Sequence, residues 1–406
     1  MLRPFKALRP RPEIAGAVSA PCSSVSDDAS ARELLSRSPH SFLRVVRPQV
    51  EANNHDEPLE RLLERSQQNL AKFLSDGIIV EDTQSALYIY RLAIGELAQT
   101  GIVGCISLRD YESGLIKKHE NTIAAREEEC LRFILAVGVQ TSAVFLAYRE
   151  VPELTCVITD EQKNASPIYD FVAEDGVQHT VWRVTQSARI ESLCEQIPSA
   201  YIADGHHRLA SSNQAQKKLR AETKAPTGRE DYNFALAALF PHNQLHVFPY
   251  HRLIHFLPME IPALLKALER DFEVIRDGKK LPQGKGSFCL FLPGACYSLQ
   301  SRTNEESYDN PVDGLEVTIL KRKVLTPIFG IGDSRLDGRV TYLAGSKGTD
   351  ELERRVNRGE AACAFSLHPT NIEEIMAIAD RGMVMEPKST WFEPKHRSGV
   401  LMHRFR

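Results

Sequence analysis

The residues of this chain best suited to chemistry lie together where Tyr201-Ile202-Ala203 is followed by Asp204-Gly205-His206-His207-Arg208. The apolar triplet reads as the end of a buried strand, Asp204-Gly205 as a tight turn, and His206 to Lys218 as a helix. Gly205 allows the backbone to turn sharply and to approach a ligand closely. The first amides of the helix, on His206, His207 and Arg208, would face an anion with the positive end of the helix dipole behind them. Arg208 can fork onto phosphate oxygens, and the two imidazoles add further hydrogen bonds. Asp204 is placed to hold a divalent cation or to orient a reacting hydroxyl. The alternative is a turn whose histidines cap the helix and whose aspartate closes a local hydrogen bond. Two adjacent histidines followed by arginine at a helix start favour the phosphate cradle. No Walker P-loop and no Gly-x-Gly-x-x-Gly occurs, so the chemistry is of neither kind.

Two further segments carry candidate groups. Lys117-Lys118-His119-Glu120 follows a strand and Gly114 and precedes a helix that starts at Ile123. A carboxylate on such a loop can act as general base toward an attacking hydroxyl; a solvated charged loop is the alternative. After Pro387, Lys388-Ser389-Thr390-Trp391 joins a cation, two hydroxyls and an aromatic. It would clamp a small anionic or zwitterionic ligand, or pack as an ordinary loop.

The elements that must position these groups alternate between helical and strand periodicity. A short helical segment from Ala31 runs toward a strand-like Phe42–Val46 before Pro48. Residues 57–76 form a helix, with Gly77 just past its end. Strands are expected over 86–92, 101–107, 143–148 and 179–184, and a helix over 123–136. The polar stretch 224–230 is a candidate linker. Residues 234–240 and 245–250 read as strands flanking a Pro-His-Asn turn, and 261–272 as a helix. Short strands continue to Leu299, and the tail holds a helix over 352–358, a strand over 361–366 and a helix over 371–380. Asp333 to Arg339 alternates charges as a solvated loop does. Many short strands with interspersed helices favour α+β over a doubly wound parallel sheet.

With 406 residues the chain exceeds the usual size of one core, so more than one domain is expected. A composition of 42% hydrophobic and 25% charged residues, with 50 Lys plus Arg against 53 Asp plus Glu, is that of an ordinary globular protein. The formal net charge of -3 provides no sequence-wide attraction to nucleic acid or to an anionic membrane. Met1 to Lys6 is followed by no long apolar stretch, and nowhere does an uncharged apolar run approach the ~18 residues of a membrane span. The eight cysteines form no Cys-x-x-Cys pair and no zinc spacing, as expected of reduced, mostly packed thiols in a cytoplasmic protein.

The opening Arg3-Pro4-Phe5-Lys6-Ala7-Leu8-Arg9-Pro10 resembles that of a bacterial family of uncharacterised proteins, and this resemblance covers nearly the whole chain. That family is related to free L-serine kinases of the ParB/sulfiredoxin-like fold. The narrower likeness rests on Lys118-His119-Glu120, on Ile202 to Arg208, and on Arg358-Gly359-Glu360 through Thr390. It implies an α+β architecture: a ParB/sulfiredoxin-like mixed-sheet domain over 1–230, an additional α/β subdomain over 231–345, and a C-terminal segment over 346–406 that completes the site. It further implies a Mg²⁺-dependent phosphotransferase that makes O-phosphoserine from L-serine, with ADP, ATP or pyrophosphate as donor. Glu120 would be the base, and Asp204 would assist through Mg²⁺ or the hydroxyl. Gly205, His206, His207 and Arg208 would hold donor phosphates; His119, Lys388, Ser389 and Thr390 would lie around the substrate. The added subdomain leaves room for a homodimer.

The chain departs from the family pattern at three places. Pro21-Cys22-Ser23-Ser24-Val25 replaces Pro-Pro-Tyr-Asp-Val, Glu129-Cys130 stands for an Asp-Arg pair, and Gln140 and Ala143 replace Asn and Pro. A nucleotide-sensing ParB-like regulator and a non-catalytic paralogue are the competing functions.

Overall fold

The structure is a computed structural model and describes residues 1–21, 28–51, 57–303, 308–332 and 337–406. Cys22 to Val25 and Asp333 to Leu336 fall outside the described residues, so the departure at Cys22 and most of the charged loop lie there too. The chain is a mixed α+β protein with several sheets. It divides into two compact units: Met1–Lys117 with Thr122–Leu245 and Pro394–Arg406, and Lys118–Asn121 with His246–Glu393.

In the first unit the main sheet runs in the order Ile116–Lys117, Ala200–Asp204, Val144–Tyr148, Phe234–Pro241, Leu97–Ser107, Tyr88–Ile94, Gln178–Arg183 and Tyr169–Val172. Val144–Tyr148 is parallel to Phe234–Pro241, and Ile116–Lys117 to Ala200–Asp204; the other pairs are antiparallel. Strands that point apolar side chains to a covered face need helices on it. Ile89, Ile106, Leu146, Ile202, Leu209 and Leu239 accordingly share one core with Leu154 and Ile158 of the helix Pro152–Asn164. A second core gathers Leu8, Phe42, Leu70, Phe73 and Met402 between the helix Leu59–Ser75 and a four-stranded sheet.

The opening segment Arg3 to Pro10 is an anchor for this unit. Arg3 stacks over Phe234 at 3.3 Å and pairs with Asp231, while Arg9 pairs with Asp82 at 2.8 Å. Tyr169 donates its hydroxyl to the Pro10 carbonyl at 2.5 Å. These contacts accompany two short strands, Leu2–Arg3, which joins the main sheet, and Ala7–Pro10, which joins the four-stranded sheet.

The second unit is built on an antiparallel sheet in the order Phe272–Arg276, Ala295–Ser301, Ser287–Leu292, Cys363–Leu367, Tyr250–Ile254 and Val340–Ala344. The helix Thr349–Asn357 buries Leu352 and Val356 against Leu253, Phe291, Leu343 and Ala364. The helix Ile372–Asp380 begins with a reciprocal cap between Asn371 and Glu374. Helix Glu316–Leu320 continues into a wider turn, Lys321–Leu325, in which Thr326 N donates to the Lys321 carbonyl five residues back at 2.9 Å. Such π-type turns often accompany functional sites because they rotate a side chain off the regular helical face.

Three local expectations are corrected. Leu43–Val46 is a helical turn rather than a strand, with Leu43 and Val45 buried in the second core; a short apolar run suits either state, and packing decides. The helix expected over 261–272 ends at Leu268, and Phe272 opens a strand. The strand expected over 245–250 is shorter, Val247–Phe248, and a further strand starts at Tyr250. Phe234–Pro241 inserts between Leu97–Ser107 and Val144–Tyr148, whereas Val247–Phe248 pairs with Trp391–Phe392 and Tyr250–Ile254 enters the second sheet.

Candidate functional site

The strand Ala200–Asp204 and the helix His206–Glu222 meet at Gly205, as the sequence predicts. Gly205 has φ +98°, a left-handed conformation that side chains rarely adopt. A Cβ there would lie 2.8 Å from Nε and Nη2 of Arg208. The glycine therefore makes the turn and also leaves room for the guanidinium to fold back over the helix start.

Asp204 is the centre of the charge arrangement. Arg208 Nη2 donates to its Oδ2 at 2.5 Å, and Lys395 Nζ to its Oδ1 at 2.8 Å. Burial alone would raise the carboxyl pKa, but Lys395 and Arg208 outweigh it and hold Asp204 well below the usual carboxylate range. Arg208 also donates through Nη1 to Ser142 Oγ at 2.7 Å. One carboxylate between two cations leaves a net positive site at a helix N-terminus, which suits a phosphate.

The two histidines of the turn differ. His206 is buried, whereas His207 Nε2 accepts the Ile123 amide at 2.9 Å. His207 thus fixes the entry to the helix Ala124–Val137 and, when neutral, carries its proton on Nδ1. His396, next to Lys395, donates Nε2–H to the Ala143 carbonyl at 2.8 Å. Burial, then the charge of Arg208, push its pKa down to about 3, so it stays neutral.

His207 and Arg208 face a cavity of about 670 Å³. Its wall also carries Arg126, Glu129, Cys130, Ser142 and Ser212, together with Leu59, Leu62, Leu63 and Phe133. The two departures at Glu129-Cys130 and Gln140 therefore lie on this cavity. Gln140 is a packing hub: its Nε2 donates to Ser212 Oγ and the Phe234 carbonyl, and its Oε1 accepts the Leu236 amide at 2.6 Å.

The second unit holds the remaining candidates. Glu120 shares a pocket of about 210 Å³ with Asn121, Lys321, Met385, Glu386 and Pro387. The loop is secured by Met385 N, which donates to the His119 carbonyl at 2.8 Å. His119 is buried, with Nε2 at 3.4 Å from Thr390 Oγ1. Ser389 is buried too, and its hydroxyl donates to the Glu386 carbonyl. Lys388 sits at φ +55° with Nζ over the Tyr250 ring at 5.5 Å. Arg252, fully inside, donates to the Tyr250 carbonyl at 2.8 Å and stacks over Tyr342 at 4.7 Å. Desolvation brings its pKa down to about 10.

The structure thus brings Asp204 to Arg208 together in one unit and His119, Glu120 and Lys388 to Thr390 together in the other. The expected Mg²⁺ role of Asp204 is weighed against its surroundings. Both of its oxygens engage cations, and among the described residues no group of three or more His, Cys, Asp or Glu is disposed to hold a metal. That donor set does not fit a protein-held Mg²⁺, which takes unneutralised oxygens.

Over residues 2–318 the sequence matches a family described as "Protein of unknown function (DUF1015)". The chain belongs to this family. No curated protein matches it. Among solved structures it is similar to a conserved hypothetical protein from Pyrococcus furiosus, at 15% identity and a TM-score of 0.35, covering 71% of this chain and 90% of that one. A free serine kinase in complex with AMP is similar at 14% identity and a TM-score of 0.37, covering 76% of this chain and 95% of that one. A C-terminally truncated SbnI from Staphylococcus aureus is similar at 11% identity and a TM-score of 0.39, covering 73% and 84%.

Sequence reasoning missed Lys395, His396, Lys321 and Glu386. Lys395 and His396 lie nearly two hundred residues from Asp204 in the chain, and only the fold brings them to it. Glu386 was within reach, since it immediately precedes the Pro387-Lys388-Ser389-Thr390 segment.

Proposed function

We propose that this protein is a phosphotransferase that moves a phosphoryl group from a nucleotide or pyrophosphate to the hydroxyl of free L-serine. The observation that carries this reading is the Asp204–Arg208 turn: a left-handed glycine at a helix start, two cations held on one carboxylate, and Arg208 and His207 on a cavity of about 670 Å³. That volume is in the ~300–1,000 Å³ range of small-molecule sites, and its mix of cationic and aliphatic walls suits a donor with phosphates and a less polar body. The pocket with Glu120, at about 210 Å³, suits an acceptor of only a few heavy atoms.

In the transfer, the serine oxygen forms a bond to phosphorus while the donor's bridging P–O bond breaks. The electron pair leaves on the donor, and the hydroxyl proton goes to the Glu120 carboxylate. Arg208, Lys395 and the helix amides would neutralise charge on the donor's phosphates. Mg²⁺ commonly accompanies such donors; no step above depends on it. The first unit would be a ParB/sulfiredoxin-like scaffold and the second unit the added subdomain, in a cytoplasmic enzyme. Glu120→Gln tests the assignment: turnover should fall about 100-fold or more with donor affinity unchanged. Full turnover in that variant would remove Glu120 from the chemistry.

A further inference from the structure

The acceptor pocket holds three charges, and their arrangement bears on which hydroxyl compounds it admits. Lys321 Nζ and Glu386 Oε1 are 2.8 Å apart, and both line the pocket with Glu120. Each keeps about a third of its side chain in solvent, 34% and 28%, so both can be reached by a ligand. Lys321 is presented by the π-type turn, and Glu386 by a segment whose backbone is fixed at both ends. Met385 N bonds His119, and the buried Ser389 hydroxyl bonds the Glu386 carbonyl.

Resting on the acceptor assignment above, we infer that Lys321 and Glu386 are the specificity-determining pair that admits a free α-amino acid. A zwitterion carries the complementary pair of charges. Its carboxylate would take Lys321 and its ammonium Glu386, so one ion pair is exchanged for two. The pocket has two carboxylates and one ammonium, a net negative set that a neutral zwitterion leaves unchanged. A hydroxy acid without an amine adds a negative charge beside Glu120 and Glu386. A seryl peptide, an amide or an N-acyl serine leaves one of the pair without its counter-charge. The product adds about two negative charges next to two carboxylates, which favours its release.

The experiment measures binding of L-serine, ethanolamine, glycerate, serinamide and N-acetylserine by ligand-observed NMR to the full chain and to Lys321→Met and Glu386→Gln. Phosphorylation kinetics follow with whichever donor is turned over. L-Serine should bind tightest. Lys321→Met should weaken serine about 10- to 100-fold and spare ethanolamine, which has no carboxylate; Glu386→Gln should weaken ethanolamine by a similar factor and spare glycerate. In turnover the loss should fall on KM, with kcat within about threefold. Serinamide or N-acetylserine binding as well as serine, equal losses for every ligand, or no serine binding at all would overturn the inference. O-phosphoserine formed with a flat ligand series would leave the kinase standing and remove this pair. A selective series without product from any donor would remove the kinase and leave a free amino-acid pocket.

Discussion

Replacing Asp204 with asparagine removes one negative charge from between two cations and keeps the shape of the side chain. At separations of 2.8 Å from Lys395 and 2.5 Å from Arg208, each pair carries about 6 kcal/mol of attraction at an effective dielectric near 20. Desolvation of three charged groups cancels most of that gain, so the cost of the substitution is set by the two cations left behind. Removing one partner from a buried pair costs about 3–5 kcal/mol. Because 29% of the Asp204 side chain and 24% of Arg208 still reach water, the lower end applies, about 3 kcal/mol. For a unit of this size that lowers the melting temperature by about 6–12 °C. The variant has a second signature: two cations without their carboxylate form a stronger anion site. Inorganic phosphate should raise the melting temperature of Asp204→Asn by more than it raises that of the wild type. Thermal unfolding followed by circular dichroism, with and without phosphate, measures both effects. A variant within about 0.5 kcal/mol of wild type, the range of an ordinary surface change, would show that Asp204 is not the hub of this site. An equal response to phosphate would show that the cations are not directed at an anion.

Gly205→Ala should cost about 1–2 kcal/mol for the left-handed backbone, and it displaces the guanidinium that lies 2.8 Å from the new Cβ. Donor affinity should fall about tenfold or more as Arg208 leaves its place, measured by calorimetry with ADP; an unchanged affinity would separate the turn from the donor. Acid should affect the two units differently. His396 and His179, both buried, have pKa values pushed down to about 3 by burial first, so each contributes stability above its unfolded pKa that is lost as pH falls. From pH 7 to 5 the first unit should lose about 2 kcal/mol per histidine. In the second unit, His251 falls to about 4 and should lose a similar amount, but buried Glu316 rises to about 7 by desolvation and gains stability as it protonates. The two nearly cancel, so fluorescence of Trp182 in a Trp391→Phe variant should report early acid unfolding, and that of Trp391 in Trp182→Phe should not. Simultaneous loss of both signals would contradict the assignment of these shifts.

The strand, turn and helix around Gly205 were legible because each is a local property: an apolar run, a glycine at positive φ, and helix formers after it. The helix Leu59–Ser75 was legible for the same reason, since Leu70 and Phe73 fall on its buried face. What sequence could not supply was long-range. Phe234–Pro241 was legible as a strand, but its partners, Leu97–Ser107 and Val144–Tyr148, lie far away in the chain. The full charge balance at Asp204 was out of reach of sequence for a related reason. Arg208 is four residues away and was weighed as a phosphate ligand; Lys395 arrives from the far end of the chain as a second cation on the same carboxylate. Glu120 was singled out as a loop carboxylate, but its pocket companions Lys321 and Glu386 come from separate segments.

The most direct test of the account is phosphorus NMR of the purified chain incubated with L-serine, Mg²⁺ and, in turn, ADP, ATP and pyrophosphate. The account predicts the phosphomonoester resonance of O-phosphoserine with at least one donor, absent with Glu120→Gln and strongly reduced with Gly205→Ala. No phosphoserine with any of the three donors, from protein that is folded and binds phosphate, would contradict it.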